Sequence, residues 1–243
     1  MPARRRTGRD RRRRRHGQRG AGPGSADAWS TGAAGQVFLA DPSAISRLLR
    51  VVDVRPDELV VDVGAGGGAL TLPLADTGAR VVAVEIDAMW VARLRDRVAG
   101  AGIADRVRVV HGDLRSFAVP AERWRVVANP PFGLTTALLR RLLDDPTRGP
   151  YRADLVVQLE VARKRTRQPP GTLHSAAWAP WWTFELGGRI DRRAFRPVPR
   201  VDAALLTIRR RDPPVLPTWL APGFADALRA VWAPPQPGPC RRS

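Results

Sequence analysis

The sequence is poor in several features, and each shortage excludes a class of protein. Its one cysteine, Cys240, allows neither an intramolecular disulfide nor a cysteine-based metal cluster. No apolar run approaches the roughly 18 to 20 residues that a membrane-spanning helix needs, and the basic N-terminus lacks the apolar segment of a signal peptide. We therefore expect a cytoplasmic protein with neither a membrane anchor nor a bound metal.

Lysine is also scarce, with Lys164 alone, yet the chain is strongly basic. Its 41 Lys and Arg residues against 23 Asp and Glu give a net charge of +18. Arginines are dense within residues 1–20, and the rest of the chain still carries more basic than acidic residues. GC-rich codon usage explains arginine in place of lysine but not the excess of base over acid. This balance favours a polyanionic partner, nucleic acid before a membrane surface.

Composition divides the chain into four parts. Residues 1–28 are rich in arginine and glycine with few large apolar side chains, so we expect a disordered tail. Residues 29–165 are expected to form the main domain, with a core strand returning near 182–210. Residues 166–235 are expected to form a small C-terminal region, followed by a second tail at 236–243.

Strand and helix patterns alternate within the main domain. Short apolar runs typical of buried strands occur at Leu59–Val63, Arg80–Glu85, Val107–Val110, Arg125–Ala128 and Asp154–Leu159, with a last one at Ala203–Arg209. Helical patterns occur after Pro42 and at Ala69–Ala75, Ala88–Ala99, Thr135–Leu143 and Phe224–Trp232. Repeated β-α-β units of this length predict an α/β fold with a parallel, doubly wound sheet.

A glycine-rich turn follows the first of these strands. Gly64 and Gly66 fit positions where the backbone turns sharply and approaches a ligand with no Cβ in the way. Glu85 ends the next strand, where a carboxylate can accept the hydroxyl protons of a ribose. These features fit NAD and S-adenosylmethionine equally, because both contain that ribose, and a tight turn without a ligand would need the glycines too.

Two further motifs at strand ends decide between the cofactors. Asp113 follows the third strand, and the motif Asn-Pro-Pro-Phe at 129–132 follows the fourth. The Asn129 side-chain oxygen and the Pro130 carbonyl can accept hydrogen bonds from an exocyclic amine and aim its lone pair at a methyl sulfonium. The prolines stiffen the loop, and Phe132 offers a face on which a base can stack. An oxidoreductase has no use for this motif, so we predict S-adenosylmethionine as cofactor, with Asn129, Pro130 and Phe132 as catalytic residues.

These residues carry a family resemblance. The chain resembles the Erm 23S ribosomal RNA adenine N6-methyltransferases, which confer resistance to macrolide, lincosamide and streptogramin B antibiotics. It is also similar to their relatives, the small-subunit rRNA adenine dimethyltransferases. The resemblance runs from about Gly35 to Arg210 and includes Gly35–Leu39, Gln158–Lys164 and Phe195–Asp202. The last segment is similar to the family's F-x-P-x-P-x-V-D element.

The resemblance implies a fold and a cofactor site. The fold is a Rossmann-like class I methyltransferase sheet followed by a small, mainly helical C-terminal domain. Residues 29–165 are then the catalytic domain, and residues 166–235 are a small RNA-binding region. The implied cofactor-binding residues are Val37, Leu39, Gly64, Gly66, Glu85, Asp113 and Asn129. Val37 stands where the family usually has asparagine, so a side-chain polar contact is lost there while a backbone contact survives.

The resemblance also implies a substrate. This is one adenine of the peptidyl-transferase loop in large-subunit rRNA, and its mono- or dimethylation excludes macrolides from their site. Phosphate contacts that position RNA without reading sequence are expected from Arg163, Lys164, Arg165 and Arg167. We expect the enzyme to act as a monomer.

Three alternatives stay open. The chain could methylate small-subunit rRNA, or be a non-catalytic RNA-binding protein on the same fold. A DNA adenine or protein glutamine methyltransferase would use a similar Asn-Pro-Pro-aromatic loop, but Gln36–Leu39 and Phe195–Asp202 argue against both. The tryptophans near 178–182 are interpreted as core packing.

Overall fold

The computed structural model of the chain describes residues 37–232. The expected tails at 1–28 and 236–243 lie outside the described residues, as do Gly35, Gln36 and Cys240. No helix within 37–232 is long and apolar enough to cross a bilayer.

A mixed seven-stranded sheet organises the described residues. The strands in chain order are β1 (Phe38–Leu39), β2 (Leu59–Val63), β3 (Arg80–Glu85), β4 (Val107–His111), β5 (Arg125–Ala128), β6 (Arg152–Gln158), β7 (Trp182–Ile190), β8 (Phe195–Arg196) and β9 (Ala203–Arg210). The order across the large sheet is β4-β3-β2-β5-β6-β9-β7. The pairs among the first five are parallel, whereas β9 runs antiparallel to both β6 and β7. The predicted parallel sheet is thus confirmed and carries an antiparallel extension.

Helices cover the sheet and connect its strands. They are α1 (Pro42–Val52), α2 (Thr71–Asp76), α3 (Ala88–Gly100), α4 (Thr135–Leu143), α5 (Leu159–Thr166), α6 (Leu173–Trp178) and α7 (Ala221–Val231). Local sequence sets two of their starts. Asp41 accepts a hydrogen bond from the Ser43 amide before α1, and Asp87 accepts bonds from the Met89 and Trp90 amides before α3, so each satisfies amides that have no partner within the helix.

The core lies on both faces of the sheet. Strands β2 and β5 are buried along their whole length, as expected for the central strands of a parallel sheet covered by helices. The tryptophans Trp178, Trp181 and Trp182 are all buried, which confirms their interpretation as core packing. Their indole N–H groups donate to Asp144, to the Leu216 carbonyl and to the Leu143 carbonyl. Each ring therefore buries its apolar body with its polar atom satisfied.

Several elements differ from the sequence prediction. The predicted strand Asp154–Leu159 ends at Gln158, because α5, which was not predicted, begins at Leu159. Strand β7 was not predicted as a strand of its own. Its pairing with β9 shifts register between Leu186 and Arg189 across two glycines, and this irregularity interrupts the alternation by which a strand is recognised.

The predicted division of the chain at residue 165 stays a prediction. Among the described residues beyond 166, β7 and β9 belong to the large sheet, while α6 and α7 contact each other.

Candidate active site

The two predicted motifs meet at one point of the sheet. The chain runs from β2 to β3 and β4 on one side and then crosses to β5 and β6 on the other, so β2 and β5 flank the topological switch point. Open α/β sheets bind ligands outside the carboxyl ends of the strands at such a point. Gly64 directly follows β2 and Asn129 directly follows β5. A Cβ on Gly64 would lie 3.2 Å from the Pro131 Cδ, so the glycine loop touches the Asn-Pro-Pro-Phe loop.

The glycine loop has a backbone that other residues rarely adopt. Gly64, Gly66 and Gly68 have φ angles of +77°, +51° and +83°, in or near the left-handed region that glycine alone enters freely. A Cβ on Gly66 would lie 2.8 Å from the Phe38 ring. The loop is therefore a cradle that a side chain would fill, as the close approach of a ligand to the backbone requires.

Glu85 closes this cradle from the neighbouring strand. Its side chain is 2% exposed, and its Oε2 accepts a 2.7 Å hydrogen bond from the Gly66 amide. Its Oε1 accepts bonds from the Ile86 and Asp87 amides. The carboxylate thus fixes the glycine loop to the end of β3. Its predicted role as ribose acceptor stays a prediction, for which Oε2 retains one lone-pair site while Oε1 already accepts two bonds.

Asp62 is a buried acid that sequence reasoning missed. It lies within β2, and its Oδ2 accepts a 2.7 Å hydrogen bond from the Thr71 hydroxyl at the start of α2. Burial raises the pKa of Asp62 to about 7, although the Thr71 bond opposes that shift. The signal was available, because an acid inside a strand that is otherwise all apolar needs a buried partner.

Asp113 follows β4 and is already engaged. Its carboxylate accepts hydrogen bonds from the Arg115 amide and from the Arg115 guanidinium. These bonds hold the pKa of Asp113 below its ordinary value, so the group is ionised at neutral pH. The predicted contact with an adenine amine stays a prediction, and the amine would share the carboxylate with Arg115.

Asn129 has one half of its amide fixed and the other half free. Its Nδ2 donates a 3.1 Å hydrogen bond to the Val37 carbonyl. Its Oδ1 is buried and has no hydrogen-bond partner among residues 37–232. Asn129 is also the only asparagine in the chain. The bond to Val37 fixes which way the amide points, and an orphaned buried acceptor is the feature that a donor on a bound ligand would satisfy.

Residue 37 contacts Asn129 through its backbone, whereas its predicted contact with the cofactor stays a prediction. The side chain at position 37 is the apolar group of valine, yet its carbonyl is what orients Asn129. The pairing of β1 with β8, in which Phe38 lies opposite Arg196 and Leu39 opposite Phe195, holds this segment in place.

Phe132 stands against a second aromatic ring. The rings of Phe132 and Phe195 meet edge to face at 6.1 Å between centroids. Phe195 is buried, whereas Phe132 is partly exposed. The segment that begins at Phe195 therefore supports the Phe132 ring, which is predicted to stack against a base.

Strand β1 adds a contact that was not predicted. Phe38, which was not predicted as a site residue, contacts the glycine loop and the Trp90 ring at 4.9 Å. Its neighbour Leu39 is buried in the core, and the predicted place of Leu39 in the cofactor pocket stays a prediction.

The predicted basic residues on and after α5 divide into two kinds. Arg163, Lys164 and Arg167 are exposed, as a phosphate contact requires. Arg165 is 7% exposed, and the structure corrects its predicted role. Its guanidinium donates to the hydroxyls of Thr172 and Ser175 and lies over the Trp178 ring at 5.3 Å. Helical spacing turns this one side chain inward, so it holds α5 against α6 rather than reaching solvent.

Comparison with known proteins gives the site a family context. Residues 32–229 match the family model described as ribosomal RNA adenine dimethylase. An rRNA adenine N-6-methyltransferase of Corynebacterium diphtheriae is 41% identical over 82% of this chain and 76% of its own length. A mycinamicin-resistance protein of Micromonospora griseorubida is 38% identical over 84% of this chain and 63% of its own length, so the chain spans less than two thirds of that relative.

A solved structure gives the same relationship in three dimensions. The crystal structure of the 23S rRNA methyltransferase ErmE superimposes with a TM-score of 0.68 at 34% identity. The match covers 79% of this chain and 77% of the other.

Proposed function

The chain belongs to the ribosomal RNA adenine dimethylase family, and from that premise we propose that it transfers methyl groups from S-adenosylmethionine to the N6 amine of one adenine in large-subunit rRNA. The observation that carries the proposal is the Asn129 side chain. Its amide nitrogen is held by Val37 and its buried oxygen lacks a partner within the described residues.

The orphaned oxygen suits an amine that is a poor nucleophile. The lone pair of an adenine N6 is delocalised into the ring, so it must be drawn out of the ring plane before it can react. A hydrogen bond from the amine to Asn129 Oδ1, with a second to the Pro130 carbonyl, favours that geometry. Because the acceptor is fixed before the base arrives, little reorganisation is needed when the reaction occurs.

The cradle at the switch point fits S-adenosylmethionine. When bound, that cofactor supplies a methyl group activated by a sulfonium. Gly64 and Gly66 would let its methionine part approach the backbone, with Glu85 at the ribose and Asp113 at the adenine. The fit rests on the left-handed glycines and the absence of room for a Cβ at Gly66.

Phe132 would hold the target base. An adenine must leave its stack to reach a pocket of this kind, which is easiest in a loop or a partly single-stranded region of RNA. The supported ring of Phe132 replaces the lost stacking, worth roughly 1–3 kcal/mol per base. The methylated amine then loses its proton to water, so no obligatory base is assigned.

The large subunit and antibiotic resistance are supported by the relatives. ErmE is described as a 23S rRNA methyltransferase, and the Micromonospora relative is described as a resistance protein. We propose that this chain likewise protects the ribosome from macrolide-type drugs, acting as a monomer in the cytoplasm. Sedimentation of the RNA-free protein tests the monomer.

Methyl transfer with mapping tests the proposal. Labelled S-adenosylmethionine would be offered with naked large-subunit rRNA, naked small-subunit rRNA and DNA, with Asn129→Ala as the matched control. We expect label in large-subunit rRNA alone and one primer-extension stop at one adenine, after which mass measurement separates one methyl from two. Label only in the small subunit would assign the chain to the housekeeping relatives, and no label with intact RNA binding would favour a non-catalytic binder.

A further inference from the structure

A large cleft lies at the opposite edge of the sheet from the candidate active site. Its volume is about 1040 Å³. It opens where the central parallel strands begin, since Trp124 directly precedes β5 and Arg152 starts β6, while Arg210 ends the antiparallel β9. Strand β6 has seven residues, so at about 3.3 Å per residue roughly 20 Å separates this edge from the catalytic one.

Arginine dominates the lining of this cleft. The arginine cleft, as we call it, is lined by six arginines, namely Arg123, Arg148, Arg152, Arg209, Arg210 and Arg211. The acids in the lining are Glu122 and Asp212, and Glu122 is already paired with Arg80 at 2.6 Å. The cleft therefore carries a strong positive excess in a concave surface, where such a field is focused.

Three of these arginines are occupied by the fold. Arg152 donates to Asp154 at 2.9 Å. Arg210 donates to the Gly149 carbonyl and lies over the Trp182 ring, and Arg211 donates to the Ala179 carbonyl. These contacts build the wall of the cleft, and they leave the positive charge of the last two without a carboxylate partner among residues 37–232.

The other three arginines are exposed and available. The Arg123 guanidinium carbon lies 4.1 Å from the centre of the Tyr151 ring, and Arg148 has no ion pair within the described part of the chain. Arg209 is 3.8 Å from Glu185, a loose contact between exposed groups that contributes little. Guanidinium groups of this kind form paired hydrogen bonds with phosphate oxygens.

The chemistry of the cleft points to a nucleic-acid backbone. Sites for small molecules are mostly apolar with a few polar groups, whereas six of the nineteen residues that line this cleft are arginines. Thr218 lies on the rim, and the next residue, Trp219, is 76% exposed, which places an aromatic ring on which an unpaired base can stack close to the cleft.

We propose that the arginine cleft binds the phosphodiester backbone of a second segment of the substrate RNA, distant from the adenine that enters the active site. The identity of that RNA rests on the proposed function, but binding in the cleft can be measured without methyl transfer. A structured rRNA can contact both edges of the sheet, whereas a short hairpin that carries only the target loop cannot.

The test is a charge-neutralised variant, called the cleft variant, with Arg123→Gln, Arg148→Gln and Arg209→Gln in the full chain. With naked large-subunit rRNA we expect binding about tenfold weaker. The slope of log affinity against log salt concentration, called the salt slope, should become shallower by the equivalent of about two to three phosphate contacts. Binding of the short hairpin and the transfer rate at saturating rRNA should be unchanged.

A matched control removes the same charge elsewhere. The control variant has Arg50→Gln, Arg95→Gln and Arg108→Gln, which are exposed positions on α1, α3 and β4. Equal rRNA affinity and salt slope in the two variants would overturn the proposal, because the cleft would then matter only through net charge. Thermal unfolding of both variants checks that they fold.

The outcomes separate this proposal from the proposed function. If the chain methylates rRNA but the two variants bind alike, the function stands and the arginine cleft fails. If the chain methylates nothing while the cleft variant alone loses rRNA affinity, the cleft stands and the function fails. Binding of the cleft variant to phosphatidylserine vesicles would be measured as well. If that variant loses vesicle binding but binds rRNA like the wild type, the cleft belongs to a membrane surface and the proposal is overturned.

Discussion

The two edges of the central sheet differ in how they hold their polar groups. At the carboxyl edge, Glu85 and Asn129 are few, sheltered and fixed by hydrogen bonds to the backbone. At the opposite edge, Arg123, Arg148 and Arg209 are long, exposed and loosely held. Reaction at one amine needs acceptors fixed within a fraction of an ångström, whereas attraction of a polyanion needs charge but little order. This difference is what the two proposals require, with chemistry at one edge and RNA anchoring at the other.

Removing the fixed acceptor should give the largest effect. In Asn129→Ala we expect the rate of methyl transfer at saturating substrates to fall by at least about 100-fold, since the amine loses a pre-positioned hydrogen-bond acceptor. Affinity for rRNA and for S-adenosylmethionine should remain within about twofold, because neither depends mainly on this one bond. Single-turnover transfer and calorimetry measure the two quantities. A variant that lost affinity and kept its rate would reverse the assignment of Asn129.

Distorting the cradle should have the next largest effect. Gly64→Ala places a Cβ 3.2 Å from Pro131 at a φ of +77°, and an alanine there is strained by roughly 1–2 kcal/mol. Relief of that strain must move the glycine loop or the Asn-Pro-Pro-Phe loop. We therefore expect cofactor affinity, measured by calorimetry, to fall about tenfold.

A second glycine provides the control for that experiment. Gly102 also has a positive φ, +67°, but a Cβ there would meet no atom within 4 Å. Gly102→Ala should lower the melting temperature by about as much as Gly64→Ala does, because both residues have a positive φ. It should leave cofactor affinity intact. Equal loss of affinity in both variants would show that backbone strain anywhere, rather than contact between the loops, is responsible.

The arginines of α5 test whether exposure separates anchoring from packing. Arg165→Gln should lower the free energy of unfolding by about 1–3 kcal/mol, because it removes buried hydrogen bonds to Thr172 and Ser175. The salt slope of rRNA binding should stay the same. Arg163→Gln should leave the free energy of unfolding intact and make the salt slope of rRNA binding shallower by the equivalent of about one phosphate contact. A change in slope in the Arg165 variant would restore its predicted role at the RNA.

The smallest effect concerns the buried acid beneath the cradle. The pKa of Asp62 is raised from its ordinary value of 3.8 to about 7 in the fold. A raised pKa stabilises the folded state below pH 3.8, and that contribution is lost as pH rises through about 7. Asp62→Asn keeps a partner for Thr71 but cannot ionise.

Unfolding measured across the pH range checks this linkage. As pH rises from 5 to 8, the free energy of unfolding of the Asp62→Asn variant should increase relative to that of the wild type by roughly 1 kcal/mol or more. One pKa unit corresponds to about 1.4 kcal/mol. Parallel stability curves for the two proteins would mean that Asp62 is already ionised in the fold.

The sequence predicted which motifs meet at the carboxyl edge of the sheet, and the reason is physical. Gly64, Glu85 and Asn129 each follow a run of apolar residues, and a parallel sheet brings the carboxyl ends of its strands together. Local patterns thus sufficed to place residues that are far apart along the chain.

Several features that sequence reasoning missed depend on elements that were not predicted or on contacts between distant segments. Helical spacing turns Arg165 inward, but α5 was not predicted as a helix, and the hydroxyls that Arg165 contacts lie at and beside the start of α6. The arginine cleft draws on segments around 119–124, 146–152 and 209–218, and its arginines resemble every other arginine in a basic chain. Strand β7 was obscured by its glycines.

The division between the two edges can be tested in one measurement, the single-turnover transfer rate as a function of naked large-subunit rRNA concentration. It would be recorded for the wild type, Asn129→Ala and the cleft variant. We predict that Asn129→Ala lowers the plateau by at least about 100-fold without moving the half-saturating concentration. The cleft variant should move that concentration about tenfold and leave the plateau unchanged. A wild-type plateau in Asn129→Ala, or a lowered plateau in the cleft variant, would contradict the account.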